Sequence, residues 1–315
     1  MKSFWHNLPR PFFILAPMEA VTDVVFRHVV AKAGHPDVFF TEFTNATGWF
    51  RAGDKAIGGR LLKTEDENPI VAQLWGSDPE AMAALSQRCA QLGYDGIDIN
   101  MGCPDQSAIK GGGGADMIRN PERAAAIIGA AKTSGLPVSV KTRLGYTYVD
   151  EWRDWLKFIF EQDIDLLTIH LRTKKEMSKV PAHFELIPEI KALRDAVAPS
   201  TLLVINGDVR DRTHGLEFAE TYGIDGAMIG RGIFSNPFCF TSRTTTPTRD
   251  ELITLLRTHL DLFDEYQSQM GRPFETLKRF FKIYIRDFDS ASLLRDRLMH
   301  CKTTHEVRET IDLIK

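Results

Sequence analysis

One of the four cysteines stands where it could act as an acid. Cys103 follows a glycine and precedes a proline in the run 100–104 (NMGCP), which predicts a rigid turn just after a buried strand. A free thiol has a pKa of about 8.5, so at neutral pH it is mostly protonated and can donate a proton. A nucleophilic thiolate and an inert buried side chain are the alternatives, although no histidine adjoins Cys103 in the sequence.

Other polar side chains and glycines follow short apolar runs at intervals along residues 1–232. They stand where the runs stop: Met18 and Glu19, Glu42, Gln73, Asn100, Lys141 and Arg143, His170 and Arg172, Asn206 and Asp208, and Gly230 and Arg231. Because parallel strands of a barrel end on the same side, we expect these groups to surround one mouth, where the active sites of such barrels are built.

The runs themselves predict the elements that position these groups. We expect eight strands, over residues 12–16, 38–41, 70–74, 96–99, 138–141, 166–170, 202–205 and 226–229. Between them lie helical patterns, including 79–92, 121–134 and 185–196, each with a proline near its first turn. Eight alternating βα units predict an α/β fold, the TIM (β/α)8 barrel.

Two glycine motifs predict an anion site. The strings 206–208 (NGD) and 230–232 (GRG) follow the seventh and eighth strands, whose loops hold phosphate groups in many TIM barrels. No GxGxxG or P-loop motif occurs, so a phosphorylated cofactor such as FMN fits better than a dinucleotide in a Rossmann site. Lys141 could stabilise the negative charge of a reduced flavin, and His170 and Gln73 could hydrogen-bond to its ring.

The composition excludes several other classes of protein. A formal net charge of −3 and a pI of about 6.3 give no general attraction to nucleic acid or membrane, so any basic surface must be local. The four cysteines have no metal-ligand spacing, so we expect neither a metal site nor a disulfide framework. No apolar run reaches the length of a membrane span, and we expect a cytoplasmic monomer.

The motifs together resemble the tRNA-dihydrouridine synthase family from residue 15 to about residue 301. The matching strings are 16–23 (APMEAVTD), 41–42 (TE), 72–76 (AQLWG), 98–104 (DINMGCP), 140–145 (VKTRLG), 170–173 (HLRT), 206–208 (NGD) and 228–232 (MIGRG). Each string alone is weak evidence for the family, but this many strings in order along one barrel are highly specific for it.

The resemblance implies an FMN enzyme that reduces the C5–C6 double bond of a uridine in folded RNA and uses NADPH to recharge the flavin. In such enzymes a hydride passes from flavin N5 to C6, and the cysteine, here Cys103, protonates C5. Asn100 and Arg143 should face the uracil, with Arg172 near the substrate side. The residues that should hold FMN, by position, are Pro17, Met18, Gln73, Lys141, His170, Asn206, Gly207, Asp208, Gly230 and Arg231.

The residues after the barrel resemble the RNA-binding helical domain of the same family. We expect the catalytic barrel over 1–240, a Ser/Thr/Pro linker over 241–248 and the helical domain over 249–315. Lys278, Lys282 and Arg286 follow one another at intervals of four, which predicts one basic helix face that binds RNA phosphates. A merely solvated face is the alternative.

Three other functions stay open at this point. A different FMN barrel, of the dihydroorotate dehydrogenase kind, would share the flavin site but act on a free pyrimidine. An RNA-binding protein in which the flavin is incidental would share the helical tail. A dihydrouridine synthase that acts on ribosomal rather than transfer RNA would share both.

Overall fold

A single parallel sheet forms the centre of the computed structural model, which describes residues 3–313. Residues 1–2 and 314–315, at the ends of the predicted 1–240 and 249–315 domains, lie outside the described residues. The strands are β1 (Phe12–Leu15), β2 (Phe39–Phe40), β3 (Thr44–Asn45), β4 (Ile70–Trp75), β5 (Gly96–Met101), β6 (Val138–Arg143), β7 (Leu166–His170), β8 (Leu202–Asn206) and β9 (Gly226–Ile229).

The sheet curls into a barrel. Its strand order is β1-β9-β8-β7-β6-β5-β4-β2, and β1 meets β2 through a bridge between Ile14 and Val38. The amide of Leu15 donates to the carbonyl of Val38 at 3.1 Å, while the short β3 pairs only with the end of β4. The prediction of an eight-stranded TIM barrel is therefore confirmed, with β3 as an addition that its two residues gave no pattern to predict.

Four strands run one or two residues further toward the mouth than predicted. The polar residues at these ends remain in register with neighbouring strands, as in the pairs Asn100–Lys141 and Arg143–His170. Backbone pairing does not depend on side-chain polarity. The polar groups expected just after the strands thus lie on the strands, where their positions are more rigid.

Helices surround the barrel and continue into the C-terminal domain. They are α1 (Val24–Ala33), α2 (Ala46–Ala52), α3 (Pro79–Gln91), α4 (Gln106–Lys110), α5 (Pro121–Lys132), α6 (Trp152–Phe160), α7 (Ile187–Val197), α8 (Arg212–Tyr222), α9 (Gly232–Ser235), α10 (Arg249–Met270), α11 (Phe281–Tyr284), α12 (Ala291–His300) and α13 (Thr304–Asp312).

Alternation along the strands divides the core into two layers. Phe12 and Ile14 belong to a small cluster inside the barrel, whereas Phe13 and Leu15 belong to the large cluster beneath the outer helices. Trp5 joins the inner cluster, with its ring 5.8 Å from that of Phe12. Apolar side chains thus fill the amino-terminal part of the barrel and leave the polar groups to its carboxyl end.

The C-terminal helical domain is fixed against the rim of the mouth. Thr248 caps α10 with a capping box that includes Glu251, and α10 packs on α1 of the barrel. Beyond α10, the Arg272 guanidinium donates to Asp23 at 2.9 Å and to the fully buried Glu42 at 2.6 Å. This buried ionic contact sets how the helical domain sits beside the barrel.

The prediction that Lys278, Lys282 and Arg286 share one helix face is wrong. Lys278 lies in a 3-10 helix over Phe274–Phe280, α11 is only four residues long, and the backbone leaves helical geometry at Ile285 (φ −101°, ψ 84°). A 3-10 helix turns in three residues, so an interval of four does not repeat a face there. Arg286 instead points to the barrel, where it donates to the Ser235 carbonyl.

Among the described residues, no helix is both long and apolar enough to cross a membrane. The same residues contain no cluster of three or more His, Cys, Asp or Glu side chains that could hold a metal ion.

Candidate active site

A cavity of about 750 Å³ opens at the carboxyl ends of the strands. Cys103 lines a second cavity, of about 500 Å³, together with Trp75 and Phe43. Lys141 is the register partner of Asn100, whose Oδ1 accepts from the Cys103 amide, so the two cavities meet at one end of the barrel. The predicted site residues that line the first cavity are Pro17, Met18, Lys141, Arg143, His170, Asn206, Gly207, Asp208, Gly230 and Arg231.

Lys141 is a half-buried cation at the mouth of the barrel. It lies on β6 between Asn100 of β5 and Thr168 of β7. Burial and the nearby Arg143 lower the pKa of Lys141 to about 8, so the side chain is still mainly charged at neutral pH. Within residues 3–313 its Nζ forms neither a hydrogen bond nor an ion pair. Because a buried charge is costly unless it is compensated, this cation suits an anionic ligand in the cavity.

Asn100 sets the turn that carries Cys103. Its Oδ1 accepts hydrogen bonds from the amides of Cys103, at 2.9 Å, and Gly102, at 3.2 Å. Its Nδ2 must therefore point the other way, where it donates to Oε1 of Gln73 at 3.0 Å. Asn100 is only 7% exposed, so the structure gives it a positioning contact with the Cys103 turn in addition to the predicted contact with uracil.

A buried carboxylate that the sequence did not single out orients this pair of amides. Asp98 accepts from Nε2 of Gln73 at 2.6 Å and from the Ser139 hydroxyl at 2.7 Å. Gln73, Asp98 and Ser139 are register partners on three adjacent strands. The chain of bonds therefore runs from Asp98 through Gln73 and Asn100 to the Cys103 turn. A charged residue inside an otherwise apolar strand is the signal that could have identified Asp98.

Arg143 holds the same turn from its other side. Its Nε donates to the Gly102 carbonyl at 2.7 Å, and its Nη1 donates to the carbonyls of Thr173 and Met177 at 3.1 and 2.9 Å. The guanidinium is nearly buried, yet it remains close enough to Cys103 to affect the thiol electrostatically. The structure thus places this cation beside the Cys103 turn.

Arg172 lies behind His170 and not at the mouth. It is 2% exposed, and its Nε donates to the Val180 carbonyl at 2.6 Å. Its Nη1 contacts Nε2 of His170 at 3.0 Å. A guanidinium can only donate, so this contact leaves the ring proton on Nδ1. Burial and neighbouring cations hold the pKa of His170 well below its usual range, so the ring is neutral. The prediction that Arg172 lies near the substrate side is therefore wrong. The structure places this side chain where it orients His170.

The two glycine loops are shaped by close backbone contacts. Gly207 has φ +104°, a conformation that other residues rarely adopt, and a Cβ there would lie 3.0 Å from the His170 ring. A Cβ on Gly232 would overlap the carbonyl oxygen of Arg210. Between the loops, Asp208 accepts from Arg172 and, at 3.1 Å, from Arg231. Backbone amides and the exposed Arg231 can therefore face a phosphate at this end of the cavity.

Burial raises the pKa of the Cys103 thiol above its ordinary value. We expect iodoacetamide to alkylate Cys103 more slowly at pH 7 than it alkylates free cysteine. The rate for Cys103 should still be rising with pH where the rate for free cysteine has levelled off. Mass spectrometry of the labelled peptide measures this, and the more deeply buried Cys89 and Cys239 serve as internal controls. Rapid labelling at pH 6 would instead indicate a thiolate nucleophile.

Removing the carboxylate of Asp98 should destabilise the protein. Asp98→Ala leaves the buried amide of Gln73 without an acceptor, which costs about 1–3 kcal/mol in the free energy of unfolding. Asp98→Asn should lose less stability, because the Oδ1 of the asparagine can still accept from Nε2 of Gln73. Urea unfolding measures the stability of both variants. Ser139→Ala is the control, because it removes the Ser139 hydroxyl that donates to Asp98 and leaves the Asp98–Gln73 bond in place. Equal losses for Asp98→Ala and Ser139→Ala would contradict the proposed chain of bonds.

Comparison with known sequences extends over almost the whole chain. The family model for dihydrouridine synthases (Dus) matches residues 14–315. The curated protein named "Probable tRNA-dihydrouridine synthase 2" of Bacillus subtilis (strain 168) is 59% identical over 312 residues, which cover 99% of this chain and 96% of that protein. The "Probable tRNA-dihydrouridine synthase" of Staphylococcus aureus (strain Mu50) is 57% identical over 312 residues, 99% of this chain and 95% of that protein.

Comparison with solved structures supports the barrel. A 2-naphthoyl-CoA reductase in complex with 2-naphthoyl-CoA matches with a TM-score of 0.54 at 10% identity, over 72% of this chain and 48% of that one. Histamine dehydrogenase from Rhizobium sp. 4-9 matches with a TM-score of 0.51 at 11% identity, over 79% and 48%. The chain spans about half the length of these two proteins, and the likeness concerns the fold alone. The sequence matches go further: this chain belongs to the dihydrouridine synthase family, a family of oxidoreductase enzymes.

Proposed function

We propose that this protein reduces a uridine of tRNA to 5,6-dihydrouridine, with FMN held in the larger cavity and NADPH as the reductant. The observation that carries the proposal is that a thiol, Cys103, and a half-buried cation, Lys141, meet at one barrel mouth. Within residues 3–313 this cation forms no hydrogen bond or ion pair. An acid and a preformed site for negative charge are the two groups that reduction of a polarised double bond requires from the protein.

The cavity residues suit FMN. When bound, FMN supplies the hydride that adds to C6 of the uracil. Lys141 would lie near the edge of the ring system that carries negative charge, and His170 offers a neutral ring N–H. The loops around Gly207 and Gly230 would take the phosphate, with backbone contacts from Pro17 and Met18. Arg231 is largely exposed and held by Asp208, from which it can turn toward a phosphate. Gln73 would support the site indirectly, through the hydrogen bond that it accepts from Asn100.

Cys103 would complete the reduction. Its S–H bond breaks and the proton adds to C5, while the resulting thiolate is stabilised by the nearby Lys141 and Arg143. Solvent then returns a proton to the sulfur. The uracil has to leave its stack to reach this position, and the cavity beside Cys103 offers the rings of Trp75 and Phe43 to receive it.

The helical domain would bind the RNA backbone through a basic groove. Lys278 and Lys282 line a groove of about 450 Å³ together with Arg279 and Arg295. Such a cluster attracts phosphates regardless of sequence. We assign Arg286 to the junction of the two domains, since it already donates to a barrel carbonyl.

A direct assay tests the proposal. Purified protein, FMN and NADPH are incubated with tRNA transcripts, with ribosomal RNA fragments or with a free pyrimidine, and dihydrouridine is measured by nucleoside mass spectrometry. We expect product only in tRNA and loss of product when NADPH is omitted. Turnover of the free pyrimidine alone, as by a dihydroorotate-dehydrogenase-like enzyme, would overturn the proposal, and product only in ribosomal RNA would overturn its tRNA component.

A further inference from the structure

An aromatic and basic surface lies beside the mouth, on the loops that follow β5, β6 and β7. Arg119 places its guanidinium 4.0 Å from the ring centre of Tyr146, and Lys174 places its Nζ 4.9 Å from the same ring. Tyr148 is 65% exposed, with Nζ of Lys175 at 5.7 Å from its ring. We call these five residues the loop ridge. No step in the proposed chemistry uses them.

The loop ridge is held in place by its backbone. The Glu151 carboxylate accepts from the amides of Tyr146 at 2.6 Å and Tyr148 at 2.9 Å. The amides of Lys174 and Lys175 donate to the carbonyls of Gly145 and Tyr146 at 2.8 and 2.9 Å. An exposed aromatic ring on a fixed loop loses little conformational freedom when a ligand stacks on it.

The loop ridge is connected through the backbone to the turn that carries the Cys103 thiol. Arg119 ends the 3-10 helix Gly114–Arg119, in which the Ala115 amide donates to the Cys103 carbonyl at 2.9 Å. This short helix therefore links the ridge to the Cys103 turn. Arg272 and Arg286 of the C-terminal segment contact the loops after β2 and β9, whereas β6 lies halfway round the barrel from β1. The ridge and the helical domain thus stand on opposite sides of the mouth.

The side chains of the ridge suit one class of partner. Within residues 3–313, Lys174 and Lys175 form no ion pair with an acidic side chain, so their charges remain available to phosphates. Tyr148 presents a flat π surface next to one of these cations. Exposed aromatic rings interleaved with basic side chains are the usual means of binding single-stranded nucleotides, by stacking and phosphate contact.

We propose that the loop ridge is a second RNA-binding surface, on which Tyr148 stacks an unpaired base near the target uridine while Lys174 and Lys175 bind adjacent phosphates. This inference rests on the proposed RNA substrate. It adds that the RNA lies across the mouth and is held on both sides of Cys103, by the groove of the helical domain and by the ridge.

Variants of Tyr148 test the stacking contact. Tyr148→Ala should weaken binding of a tRNA transcript by roughly 5- to 100-fold, whereas Tyr148→Trp should retain it. Binding is measured by fluorescence anisotropy, and KM and kcat for dihydrouridine formation are measured on the same transcripts. Retained FMN content and an unchanged circular dichroism spectrum show that each variant is folded. A rise in KM with little change in kcat supports the ridge.

Salt dependence tests the phosphate contacts. In a plot of log K against log salt concentration, Lys174→Ala and Lys175→Ala should each reduce the slope by about one. Lys157→Ala, on the outer helix α6, is the matched control and should leave the slope unchanged. Suppose that the wild-type protein modifies tRNA while the ridge variants keep wild-type affinity, KM and salt-dependence slope. The RNA-binding role of the ridge is then refuted, and the proposed function stands. If the wild-type protein neither binds nor modifies RNA, both fail.

Discussion

Cys103→Ala should abolish dihydrouridine formation almost completely. The Cys103 turn presents this thiol to the second cavity at the mouth, and a positioned general acid contributes about 10²–10⁴-fold to rate. The Cys103 sulfur has a hydrogen bond with the backbone of Asp105 in its own turn. Because losing this local contact should leave the barrel intact, the variant should still bind FMN and tRNA. Nucleoside mass spectrometry after single-turnover reaction, with FMN fluorescence and RNA binding measured alongside, separates lost chemistry from lost binding.

Cys301→Ser is the matched control for this prediction. The Cys301 sulfur lies 3.7 Å from the Arg297 carbonyl and from the Thr310 hydroxyl, contacts that a serine hydroxyl can replace. This control should keep wild-type activity. Cys103→Ser should fall between the two, because a hydroxyl is a much weaker acid than a thiol. A Cys103→Ala variant that modifies tRNA at the wild-type rate would remove the cysteine from the mechanism.

The architecture could be predicted because each strand carries its own signal. Leu166–His170 and Gly226–Ile229 were predicted with the observed bounds, since a buried parallel strand reads as a short continuous apolar run. Thr44–Asn45 could not be predicted, because two residues show no alternation and their pairing with β4 depends on the tertiary fold.

The site was predictable as a set of residues but not as a set of contacts. Side chains at strand ends were expected at one mouth, and the cavity confirms that most of them meet there. Spacing does not reveal which way a long side chain turns. Arg172 and Arg143 each point to backbone carbonyls because a buried guanidinium needs acceptors. Asp98 was overlooked because its role depends on register with Gln73, which only the folded sheet establishes.

Lys141→Met should cause the second largest loss of activity. Methionine approximates the volume of the lysine side chain but removes the charge that β6 places in the cavity beside Asn100. Loss of one preorganised electrostatic contact typically costs about 10²–10³ in rate. We expect weaker FMN binding, slower reduction by NADPH and little loss of stability. Within residues 3–313 the ammonium forms no hydrogen bond or ion pair, and its attraction to Asp98 acts at longer range. FMN titration, stopped-flow absorbance and urea unfolding measure the three effects.

The pH dependence gives an independent check on Lys141. Its lowered pKa of about 8 means that the charge is present below this pH and is lost as the pH rises through it, so FMN affinity of the apoprotein should fall above pH 8. The Lys141→Met variant should show no such decline, and Lys157→Met, on an exposed helix face, should retain it. Bound anionic ligand favours the charged form, so the decline should move to higher pH in the holoprotein. An identical pH profile in wild type and Lys141→Met would show that another group carries the charge that FMN senses.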